Sequence, residues 1–333
     1  MRTSRFICFV LFILLMQAAI GYVRSTFTFP KVDPLSSHIF LELDELRTYL
    51  HQDNTILYFG DSVITGTDQS EPDQETITQK LQALLPSMHV DFMTHEAQEM
   101  KIYDAYVTYI AHSGAHPAAI IIPLNLRSFN PQWDKNPRYQ FLREKFILTS
   151  QFPLLAEYFY RPLAIFQATG NNPISLDDYL ALPEYHGNGE VGTVGQYMQF
   201  SYTQPPDKKS IDQFLSSEFV YPLKPDNAIL LALAHLAKTA HDNHLNVIVY
   251  VSPANYQLVG KYMPDLGASI KTDAQMACNI VKAQNLPCLD LSTSLDPSYF
   301  QYVGSPYGDE HMEARGRAFV AQSLYKNFFK PSP

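Results

Sequence analysis

The run Ile56-Leu57-Tyr58-Phe59-Gly60-Asp61-Ser62-Val63-Ile64-Thr65-Gly66-Thr67 constrains this chain more than any other stretch. Its apolar opening is short, β-branched and aromatic and stops at turn residues, which describes a buried strand. Gly60 is free to take a positive φ and turn the chain sharply out of the sheet. Ser62 then stands at the carboxyl end of a strand, where open α/β sheets bind their ligands. Its hydroxyl would face the first free N–H groups of the next element, as a serine nucleophile requires. The same tripeptide also suits a plain strand-to-helix turn with Asp61 or Ser62 as N-cap.

About 245 residues further on, Ser305-Pro306-Tyr307-Gly308-Asp309-Glu310-His311-Met312-Glu313-Ala314-Arg315-Gly316 leads into an apolar-periodic helix, 317–329. Only a folded sheet brings two such distant segments to one place. Together they resemble the SGNH (GDSL-type) esterase and acyltransferase superfamily. Gly60-Asp61-Ser62 is similar to its first block, and Asp309 and His311 followed by Gly316 to its last. The likeness covers the sheet-forming two thirds of the chain and not its middle. It implies Ser62 as nucleophile, His311 as general base and Asp309 as the carboxylate orienting the imidazole.

The common spacing in that superfamily is Asp-x-x-His, which needs an acid at position 308, here Gly308. The closer Asp309-Glu310-His311 pair resembles the periplasmic polysaccharide O-acetylation branch. The oxyanion hole implied by the resemblance begins with the Ser62 N–H. Its second donor is normally a glycine after the second strand, where this chain has Thr94-His95-Glu96-Ala97. Its third is an asparagine after the third strand, where Pro123-Leu124-Asn125-Leu126-Arg127 supplies Asn125 without the surrounding motif. Asn125 equally fits a turn cap. Arg127 suits either a substrate carboxylate or phosphate, or one of the chain's many acids. Asn255 and Tyr256, in Ser252-Pro253-Ala254-Asn255-Tyr256, leave the fourth strand at the same edge and are candidate pocket residues.

Alternating strands and helices give the fold class: an α/β, flavodoxin-like three-layer fold with a five-stranded parallel sheet. Strands are expected at 55–59, 88–93, 118–122, 246–251 and 286–291. Helices are expected at 41–51, 74–85, 100–111, 227–243 and 256–284, the last broken near Pro264. Residues 130–225 interrupt this rhythm with helical pieces at 139–149 and 154–168 and a Gly-, Asn- and Tyr-rich loop at 169–206. That is too long for an ordinary connection and reads as an inserted helical cap over the sheet edge, or as a second layer without a part in substrate choice. The α/β domain therefore comprises 25–129 and 226–333. No internal repeat is visible.

Residues 1–24 stand apart. Arg2 and Arg5 precede an apolar run from Phe6 to Val23 broken only by Gln17 and Gly21, an export signal with a small-residue cleavage pattern at Ala19-Ile20-Gly21. The run is also long enough to stay as a single anchor. The flanking charges put the bulk of the chain outside the cytoplasm in both cases. The expected location is exported, periplasmic or extracytoplasmic. In that compartment Cys278 and Cys288 are either disulfide partners or two buried thiols.

With 333 residues, 46% of them hydrophobic, the chain has ample material for a large core. A net charge of −9 argues against nucleic acid as a partner. No CxxC or HExxH spacing asks for zinc, and no cofactor is expected. His235, His241 and His244 share a helix and its end without cysteine nearby, and read as surface or packing residues. The function so implied is acyl-ester hydrolysis or transfer on an envelope glycan, with a membrane-bound acyl-transfer partner in the transferase case. The other reading is a non-catalytic SGNH-like module that binds a glycan or scaffolds an envelope assembly.

Overall fold

The computed structural model describes residues 7, 9–19, 39–68, 70–136, 141–150, 223–301, 308 and 310–330. Between them it also describes residues 180, 181, 183–185, 191–193, 215, 218, 219 and 221. In chain order, α1 (Ile39–Leu50) leads to β1 (Thr55–Gly60), the single turn α2 (Ser62–Thr65), α3 (Ile77–Leu84), β2 (His89–Thr94), α4 (Met100–Ser113) and β3 (Ala119–Leu124). A 3₁₀ turn (Leu126–Phe129) opens the middle stretch. It is followed by α5 (Pro131–Lys135), α6 (Leu142–Leu148) and a hairpin of β4 (Pro183–Tyr185) and β5 (Val191–Thr193). The rhythm resumes with α7 (Ala228–Asp242), β6 (Val247–Val251), α8 (Tyr256–Tyr262), α9 (Pro264–Lys282), β7 (Cys288–Asp290) and α10 (Ala314–Leu324), which runs into a π turn (Tyr325–Phe329).

Five parallel strands form one sheet in the order β2-β1-β3-β6-β7. Side chains alternate across each strand, so the two faces feed two separate cores. Leu57 and Phe59 of β1, Ile120, Ile122 and Leu124 of β3, and Val247, Val249 and Val251 of β6 join the core under α1, α4, α6, α7 and α9. Their neighbours Ile56 and Tyr58, Ala119 and Ile121, Ile248 and Tyr250 join the core under α3 and α10. This is the three-layer arrangement, and it explains why the central strands are apolar without alternation. The polar ends of Tyr58 and Tyr250 are the exception, and they satisfy each other with a 2.6 Å hydrogen bond between hydroxyls.

Details differ from expectation for local reasons. Gly60 does not take a positive φ; among the described glycines only Gly114 does. The reason for glycine at position 60 is space, because a Cβ would lie 2.3 Å from Ile64 Cγ1. α3 begins at Ile77 because Thr76 and Gln79 form a reciprocal capping box there. β3 runs through Pro123, whose missing N–H is harmless because β1 pairs with β3 only as far as Ile121. The expected break near Pro264 falls at Met263, between α8 and α9. The last helix starts three residues early, at Ala314. A short hairpin occupies part of the stretch read as loop. Most of 130–225, including the expected helix at 154–168, lies outside the described residues.

The order places the topological switch between β1 and β3, since the chain goes from β1 to β2 on one side and then to β3 on the other. A crevice opens at the carboxyl ends of the two strands flanking such a switch. Ser62 follows one of them, and Asn125 and Arg127 follow the other.

Candidate active site

β1 ends at Gly60, and Asp61 caps the single turn α2 by accepting a 2.9 Å hydrogen bond from the Val63 N–H. Val63 and Ile64 are buried, which fixes the turn and leaves Ser62 at its first position. On the far side, His311 sits in the segment before α10. Backbone hydrogen bonds from Gln301 N to His311 O and from Glu313 N to Tyr299 O, both 2.9 Å, register this segment against 299–301. Phe300 and Met312 face each other there and point into the core under α3 and α10. His311, one residue along, therefore faces the opposite side. Its Nε2 lies 3.2 Å from Ser62 Oγ, across 249 residues of sequence.

His311 is buried. Burial first, and the Arg127 guanidinium second, push its pKa down to about 4, against an upward pull from Asp61. The imidazole is thus neutral at pH 7, as a proton acceptor must be. Its Nδ1 is buried and has no hydrogen-bond partner among the described residues. Asp309, the expected orienting carboxylate, lies outside the described residues. Position 308, where the commoner spacing would place an acid, is tight: a Cβ there would come 3.2 Å from the Phe300 carbonyl carbon.

Asn125 and Arg127 reach the same edge and meet carboxylates. The Asn125 amide nitrogen donates to Glu310 Oε2 at 2.7 Å and to Asp61 Oδ2 at 3.3 Å. Its oxygen caps the 3₁₀ turn by accepting from Arg127 N. Both amide N–H groups are therefore engaged. Arg127 pairs with Glu310 at 2.8 Å, Glu218 at 3.4 Å and Asp61 at 3.8 Å, and its guanidinium lies 4.3 Å from the centre of the Trp133 ring. Of the two uses open to Arg127, anion binding or pairing with acids, the structure shows the second. Asp61 is held above the usual carboxylate range, by burial and then by the charge of Glu310, while Arg127 and the Val63 N–H pull it back.

Asn255 caps α8, accepting from Leu258 N, and its amide donates to the Gly308 carbonyl at 2.5 Å. It thereby holds the segment three residues before His311. Tyr256 is placed in packing: it lies against the core under α4, α7 and α9, and its hydroxyl accepts from Gln257.

Three residues at this site carry no role in the sequence reading. Glu310 is 2% exposed and is the link between the His311 segment and the end of β3. Its signal was a charged residue between Asp309 and His311. Gly66 packs under the imidazole, and a Cβ there would come 2.8 Å from His311 Cδ2 and 2.6 Å from Ser62 O. The four-residue spacing from Ser62 was its only sign. Arg317 is fully buried; it donates to the carbonyls of Asp73, Glu75 and Met312 and to the Glu71 carboxylate. Nothing in α10's periodicity marked it out.

Ser62 and His311 make a hydroxyl–imidazole pair at the N-terminus of a helical turn, a geometry suited to nucleophilic acyl transfer. Among the described residues no group of His, Cys, Asp and Glu is arranged to hold a metal ion. No family model matches the sequence, and no curated protein matches it. Several solved structures overlay on the chain. An acetylxylan esterase from Geobacillus stearothermophilus overlays at 11% identity, over 85% of this chain and 97% of that one, with a TM-score of 0.40. A GDSL-like lipase from Bacteroides thetaiotaomicron overlays at 9% identity, over 88% and 98%, with a TM-score of 0.39. Overlays at that level leave the chemistry to be read from the site's own geometry.

Proposed function

We propose that this chain is an SGNH-type serine esterase or O-acyltransferase working through an acyl-serine intermediate. The Ser62–His311 contact carries this reading. Ser62 attacks the ester carbonyl as His311 takes its proton; His311 then returns the proton to the leaving alcohol. Water or an acceptor hydroxyl resolves the acyl-serine in the second half. Asp309 is the carboxylate assigned to His311 Nδ1. The Ser62 N–H is the first oxyanion donor, since the first N–H groups of a helical turn have no partner within it. Asn125 is the second, by exchanging its longer bond to Asp61 for the oxyanion.

The proposed substrates are acyl esters, acetyl above all, on an envelope glycan, handled outside the cytoplasm. The O-acetylation-like Asp309-Glu310-His311 spacing and the apolar leader support this. Residues 9–19 are helical, and Phe9, Phe12 and Leu15 on it are exposed. No helix among the described residues is long and apolar enough to cross a membrane. The leader acts as a signal or anchor, and in the transferase case a membrane-bound protein supplies the acyl group.

One feature favours the rival reading, a non-catalytic glycan-binding or scaffold module: the Asn125 amide is spent on carboxylates. A fluorophosphonate probe separates the two. Wild type is expected to be labelled and to cleave a small acetyl ester, and Ser62→Ala to do neither. Folded wild type that resists the probe would leave the binding module standing.

A further inference from the structure

His311 has two chain neighbours: Glu310 is tied to Asp61, the residue before Ser62, and Met312 is tied to the loop after α2. Ahead of the pair, the residues concerned are Asp61 and Glu310. The same two side chains from the end of β3 bridge them. Asn125 donates to Asp61 and to Glu310, and Arg127 pairs with both. Behind the pair, the residues are Met312 and the loop after α2. Arg317 bridges those, donating to Met312 O at 2.7 Å and to Asp73 O, Glu75 O and Glu71 Oε2 at 2.6, 2.9 and 2.9 Å. Glu71 closes this side by accepting from Ala314 N, the first residue of α10, at 2.9 Å.

From this we infer that Glu310 and Arg317 are positioning residues that set the Ser62–His311 register. The inference rests on the catalytic reading above and deepens it. Among the described hydrogen bonds none joins either residue to Ser62 Oγ or the imidazole; Glu310 acts through the chain just before the base and Arg317 through Met312 just after it. The His311 ring is aimed by fixing the backbone before and after it. Bonds at 2.6–2.9 Å from a fully buried guanidinium to carbonyls in two segments resist sliding of one segment past the other. The negative charge at Glu310 has the same effect, since Arg127 is held between it and Asp61.

The test uses the full chain with a fluorophosphonate and an acetyl ester. Glu310→Ala is expected to lower kcat at least about 10-fold with KM changed less than about threefold, because a small misplacement of the base costs rate before binding. Its labelling rate should fall by the same factor as kcat. Glu310→Gln, which keeps an acceptor for Asn125, is expected to recover part of that loss. Asn125→Ala combined with Glu310→Ala should cost no more than the worse single change, as two members of one bridge do. On the other side, Glu71→Gln removes charge from the Arg317 bridge without emptying the core, and is expected to lower kcat with KM held. Arg317→Lys supplies the stronger effect where the variant folds. Folded Glu310→Ala and Glu71→Gln that label and turn over as wild type would overturn the inference while leaving the catalytic reading intact. Unlabelled wild type would instead remove the catalytic reading itself.

Discussion

Gly66 shows how little room the candidate site has. Its backbone is ordinary, with φ −66° and ψ 120°, so glycine is needed there because a Cβ would collide with the Ser62 carbonyl oxygen and with the His311 ring. Gly66→Ala should therefore strain the turn after Ser62 and push His311 off Ser62, lowering kcat by about 10-fold or more together with some loss of stability. Steady-state kinetics beside a thermal melt check it; a fast, unaltered enzyme would mean that the ring sits elsewhere during turnover. His311 supplies a second expectation. Its pKa is pushed down to about 4, so the acid limb of kcat/KM should fall near pH 4 and not near the usual histidine value of about 6.5. The same depression has a stability sign. Between about pH 6.5 and 4 the unfolded chain takes up a proton that folded His311 refuses, so this residue makes stability fall as pH falls through that window. At this scale the sequence pointed to Ser62 and His311, which the structure brings within 3.2 Å, and to Asn125 and Arg127, which it brings to the same edge, because a nucleophile, a base and polar donors after strands are recognisable as residue types. It did not show Glu310 or Arg317. Their value lies in which distant atoms they meet, and a single charged residue carries no periodicity.

Elements were legible where a local device marks them. The helix break at Met263 follows from Pro264, whereas periodicity alone begins α3 at 74 and misses the capping pair Thr76 and Gln79 that starts it at Ile77. The end of β3 was harder. A strand usually stops before proline, yet this one continues because its pairing with β1 stops at Ile121, before the proline, a fact of register and not of composition. Gly60 is similar: glycine was read as a backbone need, whereas the structure shows a side-chain collision with Ile64. The pairing of Cys278 with Cys288 was left open by spacing alone; it links α9 to β7 across a separation of 10 residues. Closing a loop of that size stabilises by about 2–3 kcal/mol in the chain-entropy view. Reduction, or Cys278→Ala with Cys288→Ala, is expected to lower Tm by several degrees with labelling of Ser62 retained below the transition. β7 borders the sheet far from the β1–β3 switch, so loss of labelling before unfolding would show that the edge strand supports the site directly.

On the scale of the molecule, two halves separated by a long middle stretch fold into one sheet whose switch point lies between β1 and β3. The α/β alternation made that sheet readable, since buried parallel strands have a simple signature. The middle stretch has no such period, and its relation to the crevice was not to be had from pattern. What the sheet accomplishes is to bring Ser62 to within 3.2 Å of His311 from opposite ends of the chain. Chemistry follows from that contact only if an acyl group can be caught on it. The most direct measurement is the intact mass of the protein after brief, rapidly quenched exposure to an activated acetyl ester, with peptide mapping. The expected result is one added acetyl group on Ser62 of wild type and none on Ser62→Ala. A folded wild type that gains no acetyl, or gains it at a site other than Ser62, would contradict the account.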